Sequence, residues 1–302
     1  MISIMEKKQW YLIFSAVLVV GSLLALIVWR LNLGIDFTGG TLIELSFGKK
    51  IDKNQLEKVI KDQNISVASI APTDSNTYLV RTKPLNDGER QKVLTATKKK
   101  FESVKEISHE TTGPTIGKEL LRKAVFALIV ASIAIVLYIS WAFRSVPKPA
   151  SSWKFGISAI IALLHDSIIV LGAFAVLGRF FAAEVDTFFV TALLTVIGFS
   201  VHDTIVVFDR IRENLKLKPD EPFHQTVSNS IMQTIARSLN TSLTVVFVLL
   251  AVLLFGGASL RWLTVALLIG IIAGTYSSIF VASLILVIWQ DWSTKRGRIA
   301  TK

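Results

Sequence analysis

The chain has 302 residues, 52% of them apolar and 18% charged, and its mean hydropathy of +0.56 is typical of membrane proteins rather than soluble domains. Its net charge of +11 fits either a nucleic-acid surface or the basic residues that orient helices in a bilayer. Because there is no cysteine, disulfides, thiolate metal sites and cysteine nucleophiles are excluded.

Six segments are apolar over about 20 residues, which is the length that a helix needs to cross a bilayer. The first follows Lys7 and Lys8, but its apolar run is too long for a signal peptide and no cleavage site follows. We therefore predict that it is retained as a span. The six predicted spans are Trp10–Trp29, Ala124–Phe143, Phe155–Leu177, Val185–Phe208, Ser238–Leu260 and Trp262–Gln290.

Basic residues indicate how the spans are oriented. With the N-terminus inside, the two short outer loops carry only Arg179 and Arg261 as basic residues, whereas the inner segments are rich in Lys and Arg. This predicts a multi-pass protein of the cell membrane with both termini in the cytoplasm, and it explains most of the net charge without a nucleic-acid partner. The predicted divisions are an N-terminal tail with the first span (1–30), an outer domain (31–123), spans two to six (124–290) and a C-terminal tail (291–302).

The junction after the first span is rich in glycine. Gly34, Gly39 and Gly40 permit tight backbone turns, and Asp36 lies between them. We interpret this stretch as a hinge or lever between the spans and the outer domain. A simple connecting turn is the alternative.

The outer segment has the pattern of a small α+β domain. Thr41–Phe47 alternates as a strand does, and Asp52 is a predicted N-cap of a short helix. Two strands, joined by a turn at Asp74, Ser75 and Asn76, precede a helix that begins with a capping box at Asn86 and Glu89. A last strand completes the order β-α-β-β-α-β, which is the ferredoxin-like motif. The domain is either a structural cap or a surface that contacts a partner or an emerging polypeptide.

Ionisable residues inside the spans mark the candidate site, because a charge at the centre of a spanning helix costs at least about 2.5 to 3.5 kcal/mol. Asp166, with His165 beside it, lies near the middle of the third span. Asp203 in the fourth span and Arg237, immediately before the fifth, lie at similar depth, so we predict an ion pair that a proton could break. A purely structural pair, and a structural hydrogen bond between His165 and Asp166, are the alternatives.

Polar residues are expected to support this pair. Ser200 and Thr204 flank Asp203, and Asn240, Thr241 and Thr244 continue a stripe from Arg237 that should face protein or water. His202 points about 100° away from Asp203 on the helix, so packing is its favoured role, although it is kept as a candidate ion-coupling residue. The sixth span carries small residues at four-residue spacing, and these are predicted to form a helix-packing face: Gly270, Gly274 and Ser278.

Three motifs of enzymes or cofactor sites are incomplete. Gly113–Lys118 has too few residues between its glycines for a phosphate loop, and His109 with Glu110 lacks the second histidine of a zinc protease. Gly198-Phe199-Ser200 resembles the site of an intramembrane serine protease, but Val201 follows and the sixth span has no histidine. We therefore predict no catalytic residue, no metal site and no cofactor.

Three stretches together resemble a known family. They are LGIDFTGGT (Leu33–Thr41), IGFSVHDTIVVFDRIREN (Ile197–Asn214) and ARSLNTSLT (Ala236–Thr244). They are similar to the SecF type of the SecD/SecF family of bacterial protein-export membrane proteins, in the RND-type transporter superfamily. The resemblance covers nearly the whole chain and implies an RND-type half-bundle of six transmembrane helices with an α+β ferredoxin-like extracytoplasmic domain.

The resemblance also implies a function. It predicts a non-enzymatic subunit that works with SecD and the SecYEG translocon, with YidC and YajC as further partners, and uses a proton or sodium gradient to draw unfolded polypeptide across the membrane. Asp203 and Arg237 match the family's coupling residues, whereas His202 stands where the family often has Asn. A self-contained RND-type exporter of small molecules or lipids is the alternative.

Overall fold

The structure is a computed structural model that describes residues 7–73, 76–144, 146–147, 151–257 and 260–300, with side chains up to Ser293. The predicted turn residues Asp74 and Ser75, and the outermost parts of both predicted tails, lie outside the described residues. The chain divides into two compact units. One contains residues 1–31, 128–180 and 188–302, and the other contains residues 32–127 and 181–187.

Within the described residues, six helices are long and apolar enough to cross a membrane. This confirms the prediction of a multi-pass α-helical membrane protein. The six are α1 (Lys8–Trp29), α5 (Pro114–Ala142), α6 (Ser152–Phe181), α7 (Thr187–Leu217), α8 (Phe223–Phe255) and a sixth span, Arg261–Ser293, made of α9 (Arg261–Tyr276), a π-helical segment (Ser277–Ala282) and the first part of α10 (Ser283–Ala300).

Several helices continue past the apolar runs that predicted them. The apolar part of α7 ends at Phe208, yet the helix runs to Leu217. The added turns are charged. They contain the ion pairs Arg212–Asp209 and Arg210–Glu213, and the two members of each pair are three positions apart on the helix surface. Such pairs support a helix in water, so the helix continues past the apolar run.

The membrane unit has a buried centre formed by three spans. Half of the apolar window of α6 and of α7, and two thirds of that of the sixth span, is buried, against about a tenth for α1, α5 and α8. A Cβ added to Gly270 would lie 2.2 Å from a methyl of Val196, and one added to Gly274 would lie 3.0 Å from Cβ of Ser200. These close approaches confirm that Gly270 and Gly274 form a helix-packing face.

The second unit is an α+β domain with one four-stranded antiparallel sheet, in which the strands, numbered along the chain, lie in the order second, third, first, fourth. Two helices pack against it through buried residues such as Leu56 and Val93, which meet Ile43 and Val80 of the sheet. This is the predicted ferredoxin-like arrangement. Its elements, after the short helix α2 (Ile35–Thr38), are β1 (Gly40–Ser46), α3 (Lys53–Lys61), β2 (Val67–Pro72), β3 (Thr77–Thr82), α4 (Asp87–Lys100) and β4 (Lys105–Thr112).

Both predicted helix caps of this domain form. The Asp52 carboxylate accepts a hydrogen bond from the amide of Asn54 at 3.0 Å at the start of α3. Asn86 and Glu89 make the reciprocal capping box of α4, each side chain accepting from the other's backbone amide at 2.9 Å. Each cap satisfies amides that the first turn of the helix leaves unpaired. Because the capping residues lie within three positions of one another, the sequence alone was sufficient to predict both helix starts.

Candidate functional site

The first buried carboxylate of the membrane unit is Asp166 on α6, which is 1% exposed. One of its oxygens lies 2.9 Å from Nδ1 of His165. The other accepts hydrogen bonds from the hydroxyls of Ser200 on α7, at 2.5 Å, and Ser277 in the sixth span, at 2.7 Å. Three spans therefore meet at this one carboxylate.

His165 extends this cluster to the first span. Its Nε2 lies 3.1 Å from the hydroxyl of Ser15 on α1. The ring of Tyr276 stacks near the His165 ring with centroids 6.5 Å apart, and the Tyr276 hydroxyl donates to the backbone carbonyl of Tyr11 at 2.7 Å. The alternative of a structural hydrogen bond between His165 and Asp166 is thus compatible with the geometry, but the pair is also part of a larger polar network.

The second buried carboxylate is Asp203 on α7, which is 6% exposed. Its Oδ1 accepts a hydrogen bond from the hydroxyl of Ser238 on α8 at 2.5 Å, and its Oδ2 accepts one from the hydroxyl of Ser278. The described partners of Asp203 are therefore neutral hydroxyl groups. Hydrogen bonds to an ionised acceptor are stronger than neutral ones, so these two donors offset part of the cost of burying the charge.

The predicted ion pair between Asp203 and Arg237 is not formed between these described residues, and this expectation is corrected. Equal depth was predicted from residue counts, but depth does not fix which way a side chain points. Ser238 is the residue of α8 that faces Asp203, and its neighbour Arg237 lies about 100° further round the helix. Arg237 is exposed and borders a groove with Asp209, Arg210 and Glu213 of α7.

The other predicted support residues divide into two groups. Ser200 donates to Asp166 rather than to Asp203, and Thr204 donates to the Ser200 carbonyl at 2.9 Å. Asn240 and Thr241 are exposed, as is His202, so within this chain His202 is not packed as we expected. The polar stripe of α8 therefore lies on a surface that the described part of the chain leaves exposed.

Sequence reasoning missed three of the four serines that contact the carboxylates from other spans. The sequence does not single out Ser277, the spacing from Gly270 predicts helix packing for Ser278, and Ser238 marks only the start of a predicted span. Serine is common in membrane helices, so one serine carries little signal. The adjacent pair Ser277-Ser278 in an otherwise apolar run could have identified the site. The Ser200 hydroxyl of the incomplete protease motif donates to the Asp166 carboxylate.

The glycine-rich junction lies in the α+β unit and is ordered by residues that follow α6. The amide of Gly34 donates to the carbonyl of Val185 at 2.8 Å, and the amide of Val185 donates to the carbonyl of Asn32 at the same distance. One oxygen of Asp36 accepts from both the amide and the hydroxyl of Thr187, at 2.9 and 2.6 Å. Asp36 thus caps the first residue of α7, a role that the sequence did not suggest.

Two glycines of the junction are required by the backbone. Gly39 has φ +74° and Gly40 has φ +144°, conformations that other residues rarely adopt. A Cβ on Gly39 would also lie 2.8 Å from Cα of Pro114, and one on Gly40 would lie 2.7 Å from the carbonyl oxygen of Thr82. These contacts explain the GG pair as a close approach of three backbone segments. The hinge interpretation of the stretch stays a prediction.

A buried arginine completes this part of the α+β unit. Arg81 on β3 forms an ion pair with Glu184 and approaches the carbonyl of Leu33. Burial lowers the pKa of the Arg81 guanidinium, and the carboxylates of Asp186 and Asp36 oppose that shift. Residues 181–187 therefore belong to the compact α+β unit, which the predicted domain of 31–123 did not include.

Comparison with known proteins shows which family models and relatives match this chain. The family model described as "Protein export membrane protein SecD/SecF, C-terminal" matches residues 92–292, and the model "SecD/SecF GG Motif" matches residues 26–51. The chain is 42% identical to the protein translocase subunit SecF of Thermobaculum terrenum, over 96% of this chain and 95% of that protein.

Longer relatives match over part of their length. The chain is 37% identical to the protein translocase subunit SecDF of Bacillus subtilis, over 96% of this chain but 38% of that protein. It superimposes with a TM-score of 0.85 and 34% identity on a crystal structure of SecDF, a translocon-associated membrane protein, from Thermus thermophilus. That match covers 95% of this chain and 38% of the solved chain.

Proposed function

This chain belongs to the SecD/SecF family of protein-export membrane proteins, and on that premise we propose that it is the SecF subunit of the Sec protein-export machinery. It works with SecD and the SecYEG translocon, and associates with YidC and YajC. It uses a proton or sodium gradient to promote late steps in the transfer of unfolded polypeptide across the cell membrane. Both termini then lie in the cytoplasm, the α+β domain lies outside, and the chain has no enzymatic activity.

The SecD partnership is supported by the length of the fused relatives. The SecDF proteins of Bacillus subtilis and Thermus thermophilus match this chain over 38% and 37% of their length. Their names indicate that the remainder includes a SecD part. A separate SecF chain would then need SecD as a second subunit to make the same assembly.

The observation that carries the coupling proposal is the setting of Asp203. Its carboxylate is buried within a spanning helix and is held by the hydroxyls of Ser238 and Ser278. A buried charge without a cationic partner is costly, so a proton or another cation can bind there without first displacing an arginine or lysine. When the charge is neutralised, the two hydrogen bonds lose their charge-assisted strength, and the packing of α7 against its neighbours can change.

We assign Arg237 a different part in the coupling from the one expected. It lies on the uncovered face of α8 with Asn240 and Thr241. An arginine within a spanning helix is tolerated where it meets water or another polar group. In the assembly this face is covered by SecD, and Arg237 meets a polar or acidic group of that subunit.

The experiment compares two isosteric neutralisations on the same helix. In cells that depend on the introduced gene, we expect Asp203→Asn to insert at the normal level and to slow export of a secreted precursor severalfold. Asp209→Asn is the control, because Asp209 is an exposed residue of α7 that pairs with Arg212 at the helix surface. Normal export by Asp203→Asn at a normal membrane level would refute the coupling role.

A further inference from the structure

The π-helical segment of the sixth span, Ser277–Ala282, lies at the centre of the membrane unit. A π turn, in which the backbone hydrogen bonds run from i to i+5 instead of i+4, is rare and is frequently found at functional sites. At its C-terminal end the side chain of Ser283 also bonds to the backbone, its hydroxyl donating to the carbonyl of Ser278 at 3.3 Å. The segment therefore needs contacts that favour it over a continuous α-helix.

Two adjacent serines at the start of the segment supply such contacts. Ser277 and Ser278 are both fully buried. The first donates to Asp166 on α6 at 2.7 Å, and the second donates to Asp203 on α7. One short stretch of the sixth span is thus bonded to both buried carboxylates, which lie on different helices.

Each of these hydroxyls has a second acceptor within reach. Ser277 Oγ lies 3.1 Å from the carbonyl of Gly274, and Ser278 Oγ lies 3.1 Å from the carbonyl of Thr275. A serine hydroxyl has one proton, so it can donate fully to either its carboxylate or the carbonyl three residues earlier. An ionised carboxylate is the stronger acceptor, and a neutral one competes less well.

The π segment also sets the rotation of the cytoplasmic half of the span. After it, α10 presents Gln290 and Ser293 to the buried ammonium of Lys154 on α6, which donates to both at 2.8 Å. If the segment became α-helical, the residues beyond it would turn by roughly 100° relative to α9. That rotation would remove both acceptors from Lys154.

We propose that the π segment is a switch that responds to the charge on both Asp166 and Asp203. With both carboxylates ionised, Ser277 and Ser278 bond to them and the π form is held. When the carboxylates are neutralised, the serines turn to their own helix, the segment becomes α-helical and α10 rotates away from Lys154. This inference rests on the proposed function for its purpose, since ion binding at Asp203 would be the event that moves the sixth span.

The groups that face the two carboxylates come from several elements. His165 is the imidazole neighbour of Asp166, and the ring of Tyr276 stacks near the His165 ring. The remaining contacts are hydroxyls on α7, α8 and the π segment: Ser200 and Ser277 at Asp166, and Ser238 and Ser278 at Asp203.

The experiment measures the rotation directly in the full chain in lipid nanodiscs. Because the chain has no native cysteine, Leu217→Cys and Ile288→Cys can carry two spin labels at defined positions. Both residues are exposed, at the end of α7 and on α10. A turn of 100° displaces a side chain by up to roughly 8 Å on a helix about 11 Å wide, so the label distance should change by several Å.

We expect the distance to shift between alkaline and acidic pH in the labelled parent. Ser277→Ala and Ser278→Ala should each produce the acidic distance at alkaline pH, and the double variant Asp166→Asn with Asp203→Asn should no longer respond to pH. Thr264→Ala is the matched control, since its hydroxyl bonds to the Leu260 carbonyl in the same span, away from the carboxylates.

The switch is refuted if the parent distance is the same at both pH values, or if both serine variants keep the control distance. The parent measurement needs no serine or aspartate substitution, so it decides the matter even if those variants fail to insert. Because the readout is a distance rather than export, it is independent of the proposed function. If the label distance in the parent shifts with pH but Asp203→Asn exports normally, the switch stands and its proposed role in coupling ion binding to export is refuted.

Discussion

At the scale of single residues, Asp203 shows what an apolar sequence can and cannot reveal. A carboxylate inside a 31-residue helix that is apolar through most of its length is conspicuous, and its depth follows from counting. Its partners could not be predicted in the same way. Whether Arg237 or Ser238 faces Asp203 depends on how α8 is rotated, and that rotation is set by packing with the sixth span.

The hydroxyl contacts of Asp203 lead to a prediction about stability. Ser238→Ala removes one of its two described hydrogen-bond donors, and such a bond to a charged group contributes about 1.5 to 3 kcal/mol. We expect the free energy of unfolding of the chain in detergent micelles to fall by that amount at neutral pH. Asn240→Ala, at an exposed position of the same helix, should change it by less than about 0.5 kcal/mol. Equal effects of the two substitutions would contradict the assigned contact.

At the scale of elements, the sequence predicted helices and strands correctly where residues close together in the chain determine the structure. The caps at Asp52 and Asn86 satisfy amides within three residues, and the strand Gly40–Ser46 shows the alternation of a half-buried sheet. The π segment could not be predicted, because it is favoured by contacts to Asp166 and Asp203, which are distant in sequence. Residues 181–187 belong to the α+β unit through contacts with residues distant in sequence, such as that of Glu184 with Arg81, so local signals could not predict this either.

The helix-packing face of the sixth span gives a prediction with an internal control. A Cβ at position 270 would lie 2.2 Å from Val196, whereas one at Gly198 would have nothing within 4 Å. We therefore expect Gly270→Ala to destabilise the packing of α9 against α7 by about 1 to 3 kcal/mol. Thermal unfolding in micelles would show a lower Tm for Gly270→Ala and no loss for Gly198→Ala. A Tm for Gly270→Ala equal to that of the native chain would show that the two helices are less closely packed than described.

At the scale of the whole molecule, the uncovered surfaces point to a partner. The polar stripe of Arg237, Asn240 and Thr241 was predicted to face protein or water, and within this chain it is exposed. The sequence could place these residues on one helix face from their spacing. It could not identify what these residues contact, because the proposed partner of that surface is another protein.

The partner assignment can be tested by purification. Arg237→Met replaces the charge with an apolar side chain of similar length, so a polar contact across the interface would be lost. We expect severalfold less SecD to co-purify with this variant after gentle detergent extraction. Lys216→Met, at an exposed position in the last turn of α7, should retain most of it. Undiminished recovery of SecD with Arg237→Met would move the interface to another face.

The central proposal is that ion binding at Asp203 couples the gradient to export. It is tested most directly by measuring polypeptide export in membrane vesicles, with and without an ion gradient, for the native chain and Asp203→Asn at equal amounts. We expect the gradient to accelerate export by the native chain and to leave export by Asp203→Asn at the rate seen without a gradient. An Asp203→Asn chain whose export rises with the gradient as much as that of the native chain would contradict the proposal.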